Sequence, residues 1–203
     1  MRKQIGSFLL IAAALVFLIL QFPGGTIHQL FDRRGKVHVQ ESSSQKPIWN
    51  VCFSPEGGCT KNIVDALNQA KSTILVQAYS FTSEPLAEAL VNAHKRGVKV
   101  EVILDRSQVR VKRGQVHALI DAGISVNIDA AHAIAHNKVM VIDGMTVITG
   151  SFNFTVDAAL YNAENLLIIQ DKNLADQYTS NWQRHKEHSK SYETWIVSDA
   201  VRK

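Results

Sequence analysis

Residues 136–154 read HNKVMVIDGMTVITGSFNF, and both the fold and the chemistry of the chain turn on them. Asp143-Gly144 sits between two apolar, β-branched runs, the strongest short-range signal for a two-residue hairpin turn. The spacing predicts strands over about 136–142 and 145–151. Such a loop would set Lys138 opposite Thr149 and His136 opposite Ser151, and cross-strand partners share a face. Side chains two apart along a strand also share a face, so His136, Lys138, Ser151 and Asn153 are expected together at one end of the hairpin. Val139 and Val141 are expected on the opposite face, while Met140 and Ile142 continue the polar face into the interior. Asp143 reads mainly as a structural residue that holds the turn by an Asx-type bond to the backbone.

These residue types suit a phosphodiester. Its negative charge repels nucleophiles, and its transition state spreads charge over the non-bridging oxygens. Lys138 would neutralise that charge while Ser151 and Asn153 donate hydrogen bonds. A neutral imidazole can attack phosphorus and later leave, which splits one hard displacement into two easier ones.

The full spacing, His136-x-Lys138-x4-Asp143-x6-Gly150-Ser151-x-Asn153, resembles the HKD signature of the phospholipase D superfamily at each signature position. The resemblance implies that His136 is the nucleophile that forms a phosphohistidine, and that the histidine of a second motif protonates the leaving oxygen. This chain has one motif. His28, His38, His94, His117, His132, His185 and His188 lack the accompanying lysine and Gly-Ser-x-Asn. The chain resembles the short, single-motif bacterial endonucleases of the superfamily over almost everything after about residue 48, including CFSPEGGCT, QAYSFTS, AHKRGV, HAIAHNK and NAEN. In those enzymes a twofold dimer brings two motifs into one active site, as a closed, isologous interface allows. Glu164, in NAENLLIIQ, matches a family position whose carboxylate accepts a hydrogen bond from the nucleophilic imidazole and orients it. The catalytic set implied is His136, Lys138, Ser151, Asn153, Glu164 and Asp143, with Lys138, Ser151 and Asn153 on the substrate and no metal or cofactor.

Cys52 and Cys59 enclose six residues rich in Gly and Pro, a loop able to close a disulfide in an oxidising compartment. The rival is a metal site with His185 and His188, since related membrane-associated single-motif members carry a zinc-binding insertion near this place. With two cysteines in the chain, no metal is expected.

Composition fits one catalytic domain: 203 residues with 46% hydrophobic content can bury one sizeable core. The net charge of +4 includes Arg2 and Lys3 and does not by itself demand nucleic acid. Residues 1–22 form a signal peptide or membrane anchor: Met1-Arg2-Lys3 precedes an apolar block, and a helix over 5–22 would be about 27 Å long. The positive amino terminus points to an exported catalytic domain, periplasmic or held at the inner membrane. Residues 23–47 read as a polar linker with room for one short helix or strand. Residues 48–203 alternate strands and helices, including helices over 61–70, 84–96 and 111–122, and predict an α/β fold. Its mixed, largely parallel sheet would be flanked by helices on both faces, phospholipase D-like, with one motif per chain.

The expected function is a homodimeric, metal-independent endonuclease acting on DNA and, as a further candidate, RNA. Two alternatives stay open: a phospholipase D or cardiolipin hydrolase at a membrane, and a non-catalytic nucleic-acid-binding module. The loops Ser80–Ser83 and Asp105–Gln108 follow strand carboxyl ends, where such sheets place ligands, but Ser83 also suits a helix N-cap and Asp105 a turn.

Overall fold

The computed structural model describes residues 29–31, 37–39 and 48–200. The chain divides into two compact units, Met1–Gln45 and Lys46–Lys203. In the first, β1 (Gln29–Phe31) pairs antiparallel with β2 (Val37–Val39), Leu30 opposite His38, both strands within the stretch read as a polar linker. The apolar segment 1–22 lies outside the described residues, and among the described residues no helix is long and apolar enough to cross a membrane.

The second unit runs β3 (Ile48–Ser54), α1 (Cys59–Gln69), β4 (Thr73–Ala78), α2 (Glu84–Lys95), β5 (Lys99–Asp105), a 3-10 turn (Arg106–Arg110) and α3 (Val116–Asp121). There follow β6 (Ser125–Asp129), β7 (Lys138–Ile142), β8 (Thr146–Gly150), α4 (Val156–Leu160), β9 (Glu164–Gln170), α5 (Lys172–His188), β10 (Lys190–Ser191) and α6 (Tyr192–Ala200). The strands form one mixed sheet in the order β10-β6-β5-β4-β7-β8-β9-β3. The mixed, helix-flanked sheet is as expected, but its parallel part is confined to β4, β5 and β6. All other neighbouring strands run antiparallel.

β7 lies deep in this sheet and every residue of it is buried, which explains its nearly unbroken apolar run. Its two faces feed different layers. Met140 and Ile142 join the larger core with Ile63 and Leu67 of α1 and Leu86 and Leu90 of α2. Val139 and Val141 pack with Val147 of β8 and Ala175 of α5. Trp182 of α5, fully buried, donates from its indole Nε1 to the Val76 carbonyl at 2.9 Å and locks that helix across β4.

Two local expectations need correction. The turn at Asp143-Gly144 forms, with positive φ at both residues (54° and 59°) and the Met145 N–H bonded to the Ile142 carbonyl at 3.0 Å. The strands, however, pair Val139 with Thr149 and Met140 with Ile148, one residue away from the Lys138–Thr149 register. Met145 is the extra residue, its carbonyl taken by the Asp171 N–H at 3.0 Å instead of the ladder. The helix expected over 111–122 is reduced to Val116–Asp121. The chain ahead of it closes a tight turn at Gly114, whose N–H bonds the Val111 carbonyl at 2.9 Å. Cys52 and Cys59 form the expected disulfide, Cα atoms 5.7 Å apart, tying β3 to the start of α1.

Asp143 does not hold its own turn. Its carboxylate accepts from the N–H groups of Lys71, Ser72 and Thr73 (2.9, 2.8 and 3.0 Å) and from the Ser72 hydroxyl (2.9 Å), fixing the chain as it enters β4. Burial opposes ionisation, but these four donors outweigh it and hold the Asp143 carboxyl below its ordinary 3.8. Asp143→Ala should therefore cost about 1–3 kcal/mol at neutral pH. Because the folded-state value is depressed, this stabilisation is complete above pH 3.8 and fades as the pH falls through the folded value. Urea midpoints of wild type and variant should differ at pH 7 and converge in acid; a gap independent of pH would refute the ionic reading.

Candidate active site

The antiparallel β4–β7 pairing sets Ala78 opposite Lys138, so β7 begins where β4 ends. β8 therefore finishes, and β9 starts, at that same end: Gly150 faces Leu166, and Ser54 at the end of β3 faces Glu164. His136, Lys138, Ser151, Asn153 and Glu164 all lie at this end of the sheet. Asp143 lies at the other end of β7, roughly 17 Å from Lys138 at about 3.4 Å per strand residue, and is not brought to the site.

His136 is exposed just ahead of β7, its ring against Tyr79 with centroids 4.6 Å apart and planes tilted by 55°. Lys138 is buried beneath it, at 7% exposure. Its Nζ donates to the His136 carbonyl at 2.9 Å and stands 5.2 Å from the centre of the Tyr79 ring. Burial pushes the Lys138 ammonium below its ordinary 10.5, and the charge of Glu164 pulls it partly back. Tyr79, which the sequence reading gave no role, is thus the wall between nucleophile and cation. Its position at the carboxyl end of a predicted strand was the available signal.

The loop carrying His136 is held by Asp105, whose carboxylate accepts from Ser107 N–H at 2.9 Å and Ala135 N–H at 2.8 Å. Its far end is fixed by the Tyr79 N–H to the Asn137 carbonyl at 2.8 Å. Asp105 is therefore structural, as is Gln108, whose side-chain oxygen accepts from the Phe81 N–H at 2.9 Å. Ser83 occupies the N-cap of α2 without a side-chain capping bond.

Gly150 is a steric necessity. A Cβ there would come within 2.2 Å of the Asn165 carbonyl oxygen, and φ is 152°. The chain then leaves the sheet, with Phe152 and Phe154 fully buried and Ser151 at the surface. The Ser151 hydroxyl accepts from the Asn165 N–H at 3.0 Å and keeps its own proton to donate. The Asn153 side-chain oxygen is buried, and the amide NH2 is the part of that side chain able to donate to a substrate oxygen. Glu164 accepts from the Asn162 amide at 3.1 Å; within one chain that amide, and not the His136 imidazole, is its hydrogen-bond partner.

A groove of about 430 Å³ opens beside this constellation, lined by Tyr79, Arg106, Ser107, Arg110 and Ile134. A larger hollow, about 550 Å³, sits at the opposite end of the sheet around Asp143 and Trp49, away from His136. The arrangement is a solvent-facing imidazole over a buried cation, with neutral donors and a basic groove alongside, which is what attack on a phosphodiester requires.

Comparison with known proteins agrees. Residues 63–186 match the family model described as cardiolipin synthase, PLD-like domain. The chain is 45% identical to a phospholipase D of Rickettsia conorii over 149 residues, 73% of this chain and 74% of that one. It is 36% identical to the mitochondrial cardiolipin hydrolase of Xenopus laevis over 162 residues, 69% and 77% of the two chains. Among solved structures, the phospholipase D family member Nuc from Salmonella typhimurium superposes with a TM-score of 0.69 at 35% identity, covering 72% of this chain and 99% of Nuc. The chain belongs to the phospholipase D superfamily of phosphodiester hydrolases.

Proposed function

We propose that the chain is an endonuclease that cleaves DNA through a phosphohistidine, with one active site shared by two copies. The observation that carries this reading is the exposed imidazole of His136, whose backbone carbonyl is bonded by the buried Lys138, in a chain with one motif. The Nε2 of His136 attacks phosphorus and forms the N–P bond as the P–O bond to the leaving oxygen breaks. The His136 imidazolium of the second copy protonates that oxygen. The same ring then takes a proton from water, which attacks phosphorus and breaks the N–P bond. Lys138, Ser151 and Asn153 stabilise the charge on the non-bridging oxygens.

Two observations favour this assignment. Arg106 and Arg110 line a groove open enough for a polyanionic backbone, and Nuc matches over nearly its whole length. Association is favoured by exposed apolar side chains beside the site: Val156, Leu160 and Tyr161 on and after α4, and Phe53 on β3, against which α4 packs. A lipid substrate is the second reading, favoured by the relatives named phospholipase D and cardiolipin hydrolase. RNA remains a further substrate to assay. We put the catalytic unit outside the cytoplasm, tethered or released through residues 5–22; the Cys52–Cys59 disulfide supports this.

Purified chain given plasmid DNA, RNA and cardiolipin vesicles in parallel should cut the plasmid, and His136→Asn should lower that rate by roughly 10³-fold or more without changing the circular dichroism. Turnover of vesicles alone would transfer the assignment to lipid. If the site is shared, an equal mixture of wild type and His136→Asn, allowed to exchange subunits, should retain about a quarter of the activity of the same total of wild type. A residue of one half would mean that single chains act alone. Because burial lowers the Lys138 value, the alkaline limb of activity should fall below pH 10.5, and Lys138→Arg should abolish that limb.

A further inference from the structure

Away from His136, four side chains that no part of the reaction uses converge on one point. Asp129 ends β6, and its side chain is completely buried. A single oxygen of it, Oδ2, meets His185 Nδ1 at 2.8 Å, His132 Nδ1 at 3.2 Å and His188 Nε2 at 3.2 Å. The three imidazoles form a nearly equilateral triangle, with ring centroids 4.9, 5.1 and 5.2 Å apart. All four ligand atoms lie within 4.8 Å of one another.

Hydrogen bonding alone accounts poorly for this geometry. His185 and His188 aim at Oδ2 and His132 Nδ1 is shared between Oδ2 and Oδ1, 3.3 Å away, so three imidazoles crowd one buried carboxylate whose Oδ1 also takes the Ala131 N–H. A cation in their midst satisfies all of them at once. Four ligands about 2.05 Å from a metal in a tetrahedron stand about 3.3 Å apart, close to the three distances from Asp129 Oδ2. His132 and His188, the two rings nearest the surface, have side chains 47% and 36% exposed and so have room to adjust around an ion.

Backbone placement agrees with the side-chain geometry. His185 and His188 sit one turn apart in the last turn of α5, where the helix dipole favours positive charge. That turn is anchored independently, by the Lys186 ammonium on Glu101 of β5. Asp129 and His132 have the same three-residue spacing at the end of a strand, with the Asp129 carboxylate further held by the Ala131 N–H at 3.1 Å. A hollow of about 250 Å³ beside Ala131 and His188 supplies a route in for an ion. The cysteines take no part, since they bond to each other.

We infer that Asp129, His132, His185 and His188 form a structural binding site for a divalent transition-metal ion of the zinc class. Three imidazoles and one carboxylate suit such an ion, and four protein ligands leave no open position for a reacting water. The site joins the carboxyl end of α5 to the base of the loop that runs from Asp129 to His136. It staples the nucleophile's loop to the sheet without entering the chemistry.

The test uses full-length protein dialysed against EDTA and then titrated with Co²⁺. Wild type should take up one cobalt per chain and develop the intense visible absorption of tetrahedral Co²⁺, which Zn²⁺ then bleaches. Zn²⁺ should also raise the melting temperature. His185→Gln and His188→Gln should lose the band and the thermal shift. His117→Gln, whose ring packs on Tyr192 outside the cluster, should keep both. His136→Asn should keep both as well, so metal binding is scored independently of hydrolysis. Should His185→Gln fail to fold, His132→Gln, at the most exposed of the three rings, gives the same reading. A wild type that takes up no cobalt, or cluster variants that bind as well as wild type, would overturn the site.

Discussion

The structure depends on one pairing, β7 laid antiparallel against β4. Had β7 run parallel to β4, as β5 does, its first residues would open at the far end of the sheet, beside Thr73. Reversal puts Lys138 opposite Ala78, one residue from Tyr79, and makes every later strand turn deliver its end to the same place. The carboxyl ends of the parallel strands and the reactive ends of the antiparallel ones thereby coincide. A buried lysine is costly unless compensated. Here the His136 carbonyl, the face of Tyr79 and the charge of Glu164 all act on Lys138.

That end of the sheet carries two constellations with different tasks. The imidazole at 136 is exposed, as a group that must reach a substrate is. The imidazoles at 132, 185 and 188 are gathered on a buried carboxylate, as ligands or anchors are. Burial works against ionisation of Asp129, yet the bonds from His185, His188 and His132 and from the Ala131 N–H outweigh it and hold its carboxyl at about 2. Only the loop from Ala130 to Asn137 separates the two.

Much of this was legible in the sequence because it is local. Alternation in 138–142 correctly sent Met140 and Val141 to different layers, and the motif spacing found four residues, His136, Lys138, Ser151 and Asn153, that share one end of the sheet, with Glu164 added by the family resemblance. What escaped depends on contacts between distant segments. The Asp143-Gly144 turn formed as read, but the Asp171 N–H captured the Met145 carbonyl and shifted the ladder by one, which no window around the turn reveals. Asp143 seemed to serve its own turn because its partners, Lys71 to Thr73, lie some seventy positions earlier. His185 and His188 stood out in the sequence as a pair of ligands, but their partners did not: Asp129 lies 56 residues before His185 and meets it only when α5 crosses the sheet.

Gly150 has a consequence for how the motif is interpreted. With an added methyl group 2.2 Å from the Asn165 oxygen, the glycine is demanded by the passage of one backbone over another, whatever reaction takes place nearby. A library randomised at this position and selected merely for soluble expression would return glycine as firmly as one selected for turnover. Persistence of that letter in the signature therefore measures clearance between two strands and carries no information about catalysis.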